Sequence, residues 1–198
     1  TYDLGVTVQP GQDRTITGPS AVQAWVSSTT TNFQLMAELL DVAPDGSKKS
    51  ITHASILGSR VELDAEKSWY DATGVPIRPY LTLDHDAYLT PGTPTRIEIP
   101  LQPSVWRLTA GHRLALRLET QAPAELCALN TKIGAAPSGC HPTLPMMQTL
   151  AGGVFSVFHD AQHPLLVNVP LVASGSLPTV ATAVTPTSGG AALPKDWD

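Results

Sequence analysis

Apolar and polar side chains alternate one by one in several separate stretches of this chain. In residues 20–28, Val22, Ala24 and Val26 lie on one face of an extended chain. The same period of two recurs in residues 33–39, 95–101, 113–119, 154–158 and 165–171. Because successive side chains of a strand point to opposite faces, the pattern predicts strands with one buried face. About eight strands are expected in all, and no window favours a helix.

Glycine and proline separate these stretches, with 15 Gly and 18 Pro in 198 residues. Residues 43–47 (APDGS) are typical of a tight turn, since Pro presets φ and Gly accepts a positive φ. Four prolines favour edge strands or strand ends, because proline has no N–H to donate to a sheet; they are Pro91, Pro94, Pro100 and Pro103. The sequence therefore predicts an all-β sandwich.

Two long stretches lack this periodicity. Residues 65–80 contain Trp69 and Tyr70, and residues 122–150 contain both cysteines and four prolines. Loops of this length in a compact domain usually have a function or pack against another element. From about residue 173 the chain is rich in Ser, Ala, Thr, Pro and Gly. We therefore expect a domain over 1–172 and a low-complexity tail over 173–198, either flexible or lying across a partner.

Cys127 and Cys140 are the two cysteines, too few for a scaffold built on disulfides. A bridge between them would close a short loop and contribute roughly 3 kcal/mol in the chain-entropy model. In a reducing compartment they would remain two thiols. The sequence favours neither alternative.

Charge and hydropathy exclude several classes of protein. The net charge of −5 argues against nucleic-acid binding, which requires a concentrated excess of Lys and Arg. The apolar runs are too short to span a bilayer. A content of 42% apolar and 15% charged residues excludes a disordered polyelectrolyte. Because the chain begins at Thr1, we expect a processed end or a domain cut from a longer protein. A homo-oligomer is left open.

The sequence lacks the local motifs of common catalytic sites. The nearest approach to a Gly-x-Ser-x-Gly nucleophile elbow is Gly18-Pro19-Ser20-Ala21-Val22, which lacks the second glycine and leads into a predicted strand. Ser-x-x-Lys, Walker A, Gly-x-Gly-x-x-Gly, His-Glu-x-x-His and Cys-x-x-Cys are missing as well. We therefore predict no catalytic residue in this chain.

Two histidine-containing clusters are weak candidates for metal sites. His159 and His163 have the i, i+4 spacing of helical ligands, but they follow a predicted strand, where two such side chains need not converge. Two loop histidines are the favoured interpretation. Asp84-His85-Asp86 could offer carboxylates to a hard cation, although a solvated strand end is favoured. We predict no metal site and no cofactor.

Aromatic residues suggest one alternative function. The candidates for a surface that stacks on a sugar are Trp25, Trp69, Tyr70, Tyr80, Tyr88 and Trp106. Tryptophan in a sandwich is more often buried, so Trp69 and Tyr70, adjacent in an aperiodic segment, are expected to be the most exposed. A carbohydrate-binding module using Trp69, Tyr70 or Trp106 is therefore the alternative hypothesis.

Five segments carry a family resemblance through their order and spacing. They are residues 16–28 (ITGPSAVQAWVSS), 39–46 (LLDVAPDG), 89–92 (LTPG) with the strand 97–101, 106–114 (WRLTAGHRL) and 164–172. Together they resemble the C-terminal non-catalytic domain of the X-Pro dipeptidyl-peptidase family, which includes cocaine esterase and the α-amino acid ester hydrolases. The sequence departs from the pattern at Asn32, where an Asp commonly precedes Phe, and at residues 119–123, which lack the usual aromatic.

The resemblance implies a jelly-roll β-sandwich of the galactose-binding-like type. In the family it packs against an upstream α/β-hydrolase domain, which carries the Ser, Asp and His that transfer an acyl group to water. The resemblance transfers no catalytic role to any position of this chain. The leading hypothesis is thus a non-catalytic domain of a serine esterase or peptidase, whose partner is the upstream domain of the same polypeptide. A large exposed apolar surface would mark the face that meets that domain.

Overall fold

The computed structural model describes residues 1–120 and 153–176. Its strands, in chain order, are β1 (Tyr2–Thr7), β2 (Arg14–Ser28), β3 (Gln34–Val42), β4 (Lys48–Leu57), β5 (Trp69–Tyr70), β6 (Pro76–Arg78), β7 (Thr95–Leu108), β8 (Arg113–Glu119), β9 (Phe155–Phe158), β10 (Leu166–Asn168) and β11 (Leu171–Ala173). Two 3₁₀ turns, Gly58–Arg60 and Ser174–Ser176, are the helical segments of the described ranges. Among these residues no helix is long and apolar enough to cross a membrane. The all-β prediction is confirmed.

Two antiparallel sheets form the body of the fold. The first, sheet A, has the order β1-β8-β3-β4. The second, sheet B, has β2 at its centre, with β7 along one edge and β9, β10 and β11 along the other. One core cluster joins the inward faces of both sheets. Its fully buried members include Val22, Ala24, Val26, Ile97, Ile99, Leu39 and Leu116. The predicted sandwich is therefore confirmed.

The two sides of the sandwich differ. On one side β4 and β7 approach each other, and Thr52 Oγ1 donates a hydrogen bond across them to Gln102 O at 2.7 Å. On the other side, a cavity of about 400 Å³ opens between β1 and the edge formed by β10 and β11. Leu4, Val6 and Leu114 line this cavity. The sandwich is thus closed by a cross-sheet hydrogen bond on only one of these two sides in the described chain.

Proline positions follow the edges of sheet B. Strand β7 pairs with β2 alone in the described chain, so it is an edge strand that carries Pro100 and Pro103 without losing ladder hydrogen bonds. The register shifts between the pairs Gly18–Ser104 and Ser20–Leu101, which places Pro103 in a bulge. Gly18 has φ of +118°, a conformation that glycine adopts without strain. The prediction of prolines at edges is confirmed for these two residues.

Strands β1 and β4 were missed by the periodicity argument. In β1, the partly buried Tyr2, Leu4 and Val6 alternate with exposed residues, so a signal was present in the sequence. In β4, an edge strand of sheet A, several positions on both faces are partly exposed, which obscures the alternation. Edge strands bury less of each face than central ones, and their pattern is weaker for that reason.

Between β4 and β7 the chain leaves the sandwich in a segment that we call the excursion (residues 58–89). Its two short strands, β5 and β6, pair with each other. Strand β6 packs on β2, both of whose edges are already paired, so β6 covers the outer face of sheet B. The aperiodic stretch 65–80 therefore lies over one sheet of the sandwich.

The remaining sequence predictions fall at the limits of the described residues. The predicted domain boundary between 172 and 173 lies within β11, and Ser174 N donates to Asp13 O at 3.0 Å beyond it. Residues 177–198 of the predicted tail lie outside the described residues, as do the stretch 122–150 and the pairing of Cys127 with Cys140. The division into domain and tail stays a prediction.

Candidate functional site

A buried carboxylate links the two sheets at one end of the sandwich. Asp41, in β3, is 5% exposed. Its Oδ2 accepts a hydrogen bond from the indole Nε1 of Trp106 at 2.9 Å, and its Oδ1 lies 2.7 Å from His112 Nδ1. Both carboxylate oxygens are thus satisfied, which removes much of the cost of burying a charge. The cluster holds β3, β7 and the turn before β8 together.

Sequence reasoning missed this cluster. Segments 39–46 and 106–114 predicted hairpin turns and core strands, and the structure shows that Asp41 of one segment meets His112 of the other. The available signal was a carboxylate at position 41 in an otherwise apolar run. Trp106, a candidate for sugar stacking, is half-buried and commits its indole N–H to Asp41. Its position suits a structural role better than a stacking surface.

An Asp–His pair is also two thirds of a hydrolytic triad, so the third member matters. Within residues 1–120 and 153–176, no serine hydroxyl is hydrogen-bonded to a histidine ring. The serine of the incomplete elbow motif, Ser20, is buried and its hydroxyl has no hydrogen-bond partner. The described residues therefore hold an oriented imidazole without an adjacent nucleophile.

The three residues of Asp84-His85-Asp86 do not converge on one point. His85 lies between two carboxylates, with Asp84 Oδ1 2.6 Å from Nδ1 and Glu62 Oε2 3.0 Å from Nε2. The hydrogen bond to Asp84, and then the charges of Asp84 and Glu62, raise the pKa of His85. Asp86 instead accepts hydrogen bonds from Ser59 Oγ and Arg60 Nε, each at 2.8 Å. The arrangement is a set of ion pairs at the surface.

His159 and His163 also separate. His159 stacks on Tyr2, with ring centroids 6.3 Å apart, whereas the ring of His163 packs edge-on against Trp25 at 4.9 Å. Asp160 accepts the backbone N–H of His163 and lies 3.1 Å from its Nδ1, which holds the pKa of Asp160 below its usual range. No group of three metal-ligating side chains occurs within the described ranges.

Glu98 is a second buried carboxylate, with different surroundings. It alternates with the core residues Ile97 and Ile99 along β7, so it lies on the outer face of sheet B, and only 2% of it is exposed. Oε1 accepts from Arg96 Nε at 2.7 Å, while Oε2 has no partner. Burial raises the pKa of Glu98, and the opposing effect of Arg96 is smaller.

Exposed aromatic side chains are concentrated in the excursion. In the described ranges eight large apolar side chains are strongly exposed. Five of them lie between residues 69 and 88: Trp69, Tyr70, Tyr80, Leu83 and Tyr88. The guanidinium of Arg78 lies 5.0 Å over the Trp69 ring, and Lys67 Nζ lies 5.0 Å over Tyr80. Trp69 and Tyr70 are exposed as predicted, but the expectation that they are the most exposed aromatics is wrong, because Tyr88 is more exposed than either.

The sequence matches one protein family over most of the described sandwich. Residues 6–125 match the family described as the X-Pro dipeptidyl-peptidase C-terminal non-catalytic domain. The chain belongs to this family. The resemblance read from segments 16–28, 39–46 and 106–114 is confirmed. No curated protein matches the sequence.

Solved structures share the fold of this family member. A CocE/NonD family hydrolase from Staphylococcus aureus has 16% sequence identity and a TM-score of 0.63, over 86% of this chain and 32% of its own. An aminopeptidase from a marine sediment archaeon of the Thaumarchaeota has 12% identity and a TM-score of 0.52, over 85% of this chain and 25% of its own. The chain therefore spans about a third or less of the length of these structures.

The side chain of Asn32 ties the excursion to the sandwich. Asn32 Oδ1 accepts the backbone N–H groups of Phe33 and Ser59, both at 2.9 Å, and Nδ2 donates to Ser59 Oγ at 3.1 Å. Ser59 Oγ donates in turn to Asp86. An Asp could make the first two contacts but has no N–H for the third. The amide of Asn32 therefore makes one contact to Ser59 that a carboxylate could not make.

Proposed function

We propose that this chain is the non-catalytic C-terminal β-sandwich of a serine hydrolase. In this proposal an upstream α/β-hydrolase domain of the same polypeptide supplies the nucleophile, the base and the oxyanion donors, and it cleaves ester or amide bonds. The β-sandwich covers one face of that domain and keeps it in a stable position. The main observation that supports this proposal is the match of residues 6–125 to a family described as a non-catalytic C-terminal domain.

Two further observations support this proposal. The structural neighbours are a CocE/NonD family hydrolase and an aminopeptidase, and each is at least three times as long as the region it shares with this chain. The oriented imidazole of His112 has Asp41 as its partner but no serine beside it within the described chain. Asp41 and His112 therefore act as a structural pair that joins β3 to the turn before β8.

We also propose that the sandwich has the jelly-roll topology of the galactose-binding-like type. Strand β1 pairs with β8 and strand β2 pairs with β7, so strands distant in sequence are nested neighbours. Such nesting is expected when a long hairpin wraps into two facing sheets. In that topology the strand ends of the sandwich and its long connections are the surfaces available to a second domain.

An activity assay tests the proposed function. The 198-residue chain, checked for a β-type circular dichroism spectrum, is incubated with p-nitrophenyl acetate and with an X-Pro p-nitroanilide. We expect no turnover above the buffer rate, whereas the polypeptide containing the upstream domain hydrolyses one of the two. Robust turnover by the 198-residue chain that is lost in Ser20→Ala or His112→Gln would contradict the proposal.

The carbohydrate-binding alternative retains one supporting observation, since Trp69 is 56% exposed. One face of its ring is nonetheless covered by Arg78, and Trp106 is held by Asp41. A calorimetric titration with oligosaccharides distinguishes the two functions. Binding that disappears in Trp69→Ala but persists in Trp106→Phe would favour the carbohydrate-binding module.

A further inference from the structure

We infer that the excursion is the docking surface for the upstream hydrolase domain, and that Leu83 and Tyr88 belong to that surface. This inference rests on the proposed function and specifies which part of the sandwich makes the contact. Both residues lie outside the strands of the sandwich. Leu83 is 59% exposed and Tyr88 is 65% exposed.

The backbone at Leu83 is the first argument. Leu83 has φ of +55°, and it is the one non-glycine residue with a positive φ in the described chain. A branched, bulky residue is unfavourable in this conformation, because its Cβ crowds the following carbonyl oxygen. In the isolated sandwich Leu83 is therefore unfavourable for two reasons, its backbone conformation and the exposure of its apolar side chain. Strain of this kind is typical of positions with a binding role.

Rigidity of the segment is the second argument. Arg60 Nη1 donates to Leu83 O at 2.6 Å, and the same side chain binds Asp86 through Nε. Backbone hydrogen bonds join the two arms of the excursion, from Asp64 N to Tyr80 O, from Thr82 N to Glu62 O and from Ala87 N to Ser59 O. The backbone around Leu83 and Tyr88 is thus held in a fixed geometry, and the excursion would lose little conformational entropy on binding a partner.

Charge identifies the chemistry of the partner. The excursion carries six carboxylates and three basic side chains, a net charge of −3 out of −5 for the chain, with His85 counted as neutral. Two of the basic groups, Lys67 and Arg78, lie over aromatic rings of the same segment. The complementary surface is therefore an apolar area rimmed by Lys and Arg. We assign that surface to the upstream hydrolase domain.

Site-specific photo-crosslinking tests this assignment in the polypeptide that contains both domains. A photoreactive phenylalanine analogue replaces Leu83 in one variant and Tyr88 in a second. The matched control carries it at Val105, which is 76% exposed on β7, outside the excursion. We expect peptides of the upstream domain to be crosslinked from positions 83 and 88, with at least ten times the yield obtained from position 105.

The outcomes separate the inference from the proposed function. Crosslinks to the upstream domain from 105, with none from 83 or 88, would overturn the docking surface and leave the proposed function in place. Crosslinks from 83 to a second copy of the chain would overturn it in favour of self-association. An upstream region that encodes no hydrolase would instead refute the proposed function itself.

Discussion

The sandwich and the excursion are stabilised by different interactions. In the sandwich, alternate side chains of β2, β3, β7 and β8 fill one apolar core, and most of its members are no more than 4% exposed. In the excursion, five large apolar side chains are exposed, and polar contacts around Asn32, Ser59 and Asp86 fix its ends. Burial of apolar area stabilises the sandwich, whereas individual hydrogen bonds fix the conformation of the excursion.

The difference shows which region of the domain depends on the identity of particular residues. A core position depends on size and hydrophobicity, and many sequences satisfy it. A segment held by side-chain hydrogen bonds depends on particular donors and acceptors, and a single change alters its conformation without unfolding the molecule. The excursion can therefore vary in its surface while the sandwich stays the same. The predictions below test this separation, beginning with the largest effect.

Leu39→Ala should give the largest loss of stability. Leu39 is fully buried in the centre of sheet A, and truncation would leave a cavity in the shared core. We expect the free energy of unfolding to fall by about 2–5 kcal/mol, measured by urea denaturation. The control Val105→Ala, at an exposed position, should change it by less than about 0.5 kcal/mol. Equal effects of the two substitutions would mean that the core does not dominate stability.

Gly58→Ala tests the junction between the two regions. A Cβ at position 58 would lie 2.8 Å and 2.9 Å from ring atoms of Phe33 and 3.0 Å from Leu89 Cδ1. Phe33 is buried and cannot move away, so we expect a loss of about 1–3 kcal/mol from overpacking. In Gly175→Ala nothing lies within 4 Å of the new Cβ, and stability should be unchanged. A neutral Gly58→Ala would show that the junction is loosely packed.

Asn32→Ala should loosen the excursion more than the sandwich. The substitution removes the acceptor of two backbone N–H groups, so global stability should fall by about 1–2 kcal/mol. We expect amide exchange at Ser59 and Ala87 to accelerate more than tenfold, with core amides of β2 following only the global change. Asn32→Asp keeps the acceptor but loses the donor to Ser59 Oγ, so its effect should be smaller than that of Asn32→Ala. If both variants behave alike, the acceptor is not what fixes the segment.

Glu98→Gln should produce the smallest effect, and it should be a gain. An unperturbed glutamate has a pKa of 4.5, and burial raises the pKa of Glu98 above this value in the folded state. The folded chain therefore binds the proton more readily than the unfolded chain. The ionised carboxylate therefore reduces stability at neutral pH, and the reduction disappears as the pH falls through the raised pKa.

Glutamine keeps an acceptor for Arg96 without the charge, and Arg96 is exposed enough to remain hydrated. We expect Glu98→Gln to raise the free energy of unfolding by about 1 kcal/mol at pH 8 and by progressively less toward pH 4. Thermal denaturation across this pH range measures the difference. A stability gain that is independent of pH, or a loss at pH 8, would contradict the assignment of a destabilising carboxylate.

Several features of the fold were predictable from the chain alone. Alternation in residues 20–28 and 95–101 predicted β2 and β7, the two longest strands of sheet B, because a buried face requires one apolar residue in every two. The ordered motifs from residues 16 to 114 predicted the family, and the exposure of Trp69 and Tyr70 followed from the lack of periodicity around them. The alternation and the aperiodic stretch are local signals, because each depends on residues near one another in sequence. The family resemblance depends instead on the order and spacing of motifs along the chain.

Tertiary structure alone decided the rest, because it concerns residues that are distant along the chain. The pairing of Asp41 with His112, the turning of Asp86 toward Ser59 and Arg60, and the separation of His159 from His163 depend on which strands become neighbours. The sequence does not indicate which residue will pair with a given carboxylate, because the packing of the sheets decides which side chains become neighbours. Leu83, whose φ is positive, likewise has its carbonyl oxygen bound by Arg60, 23 positions away.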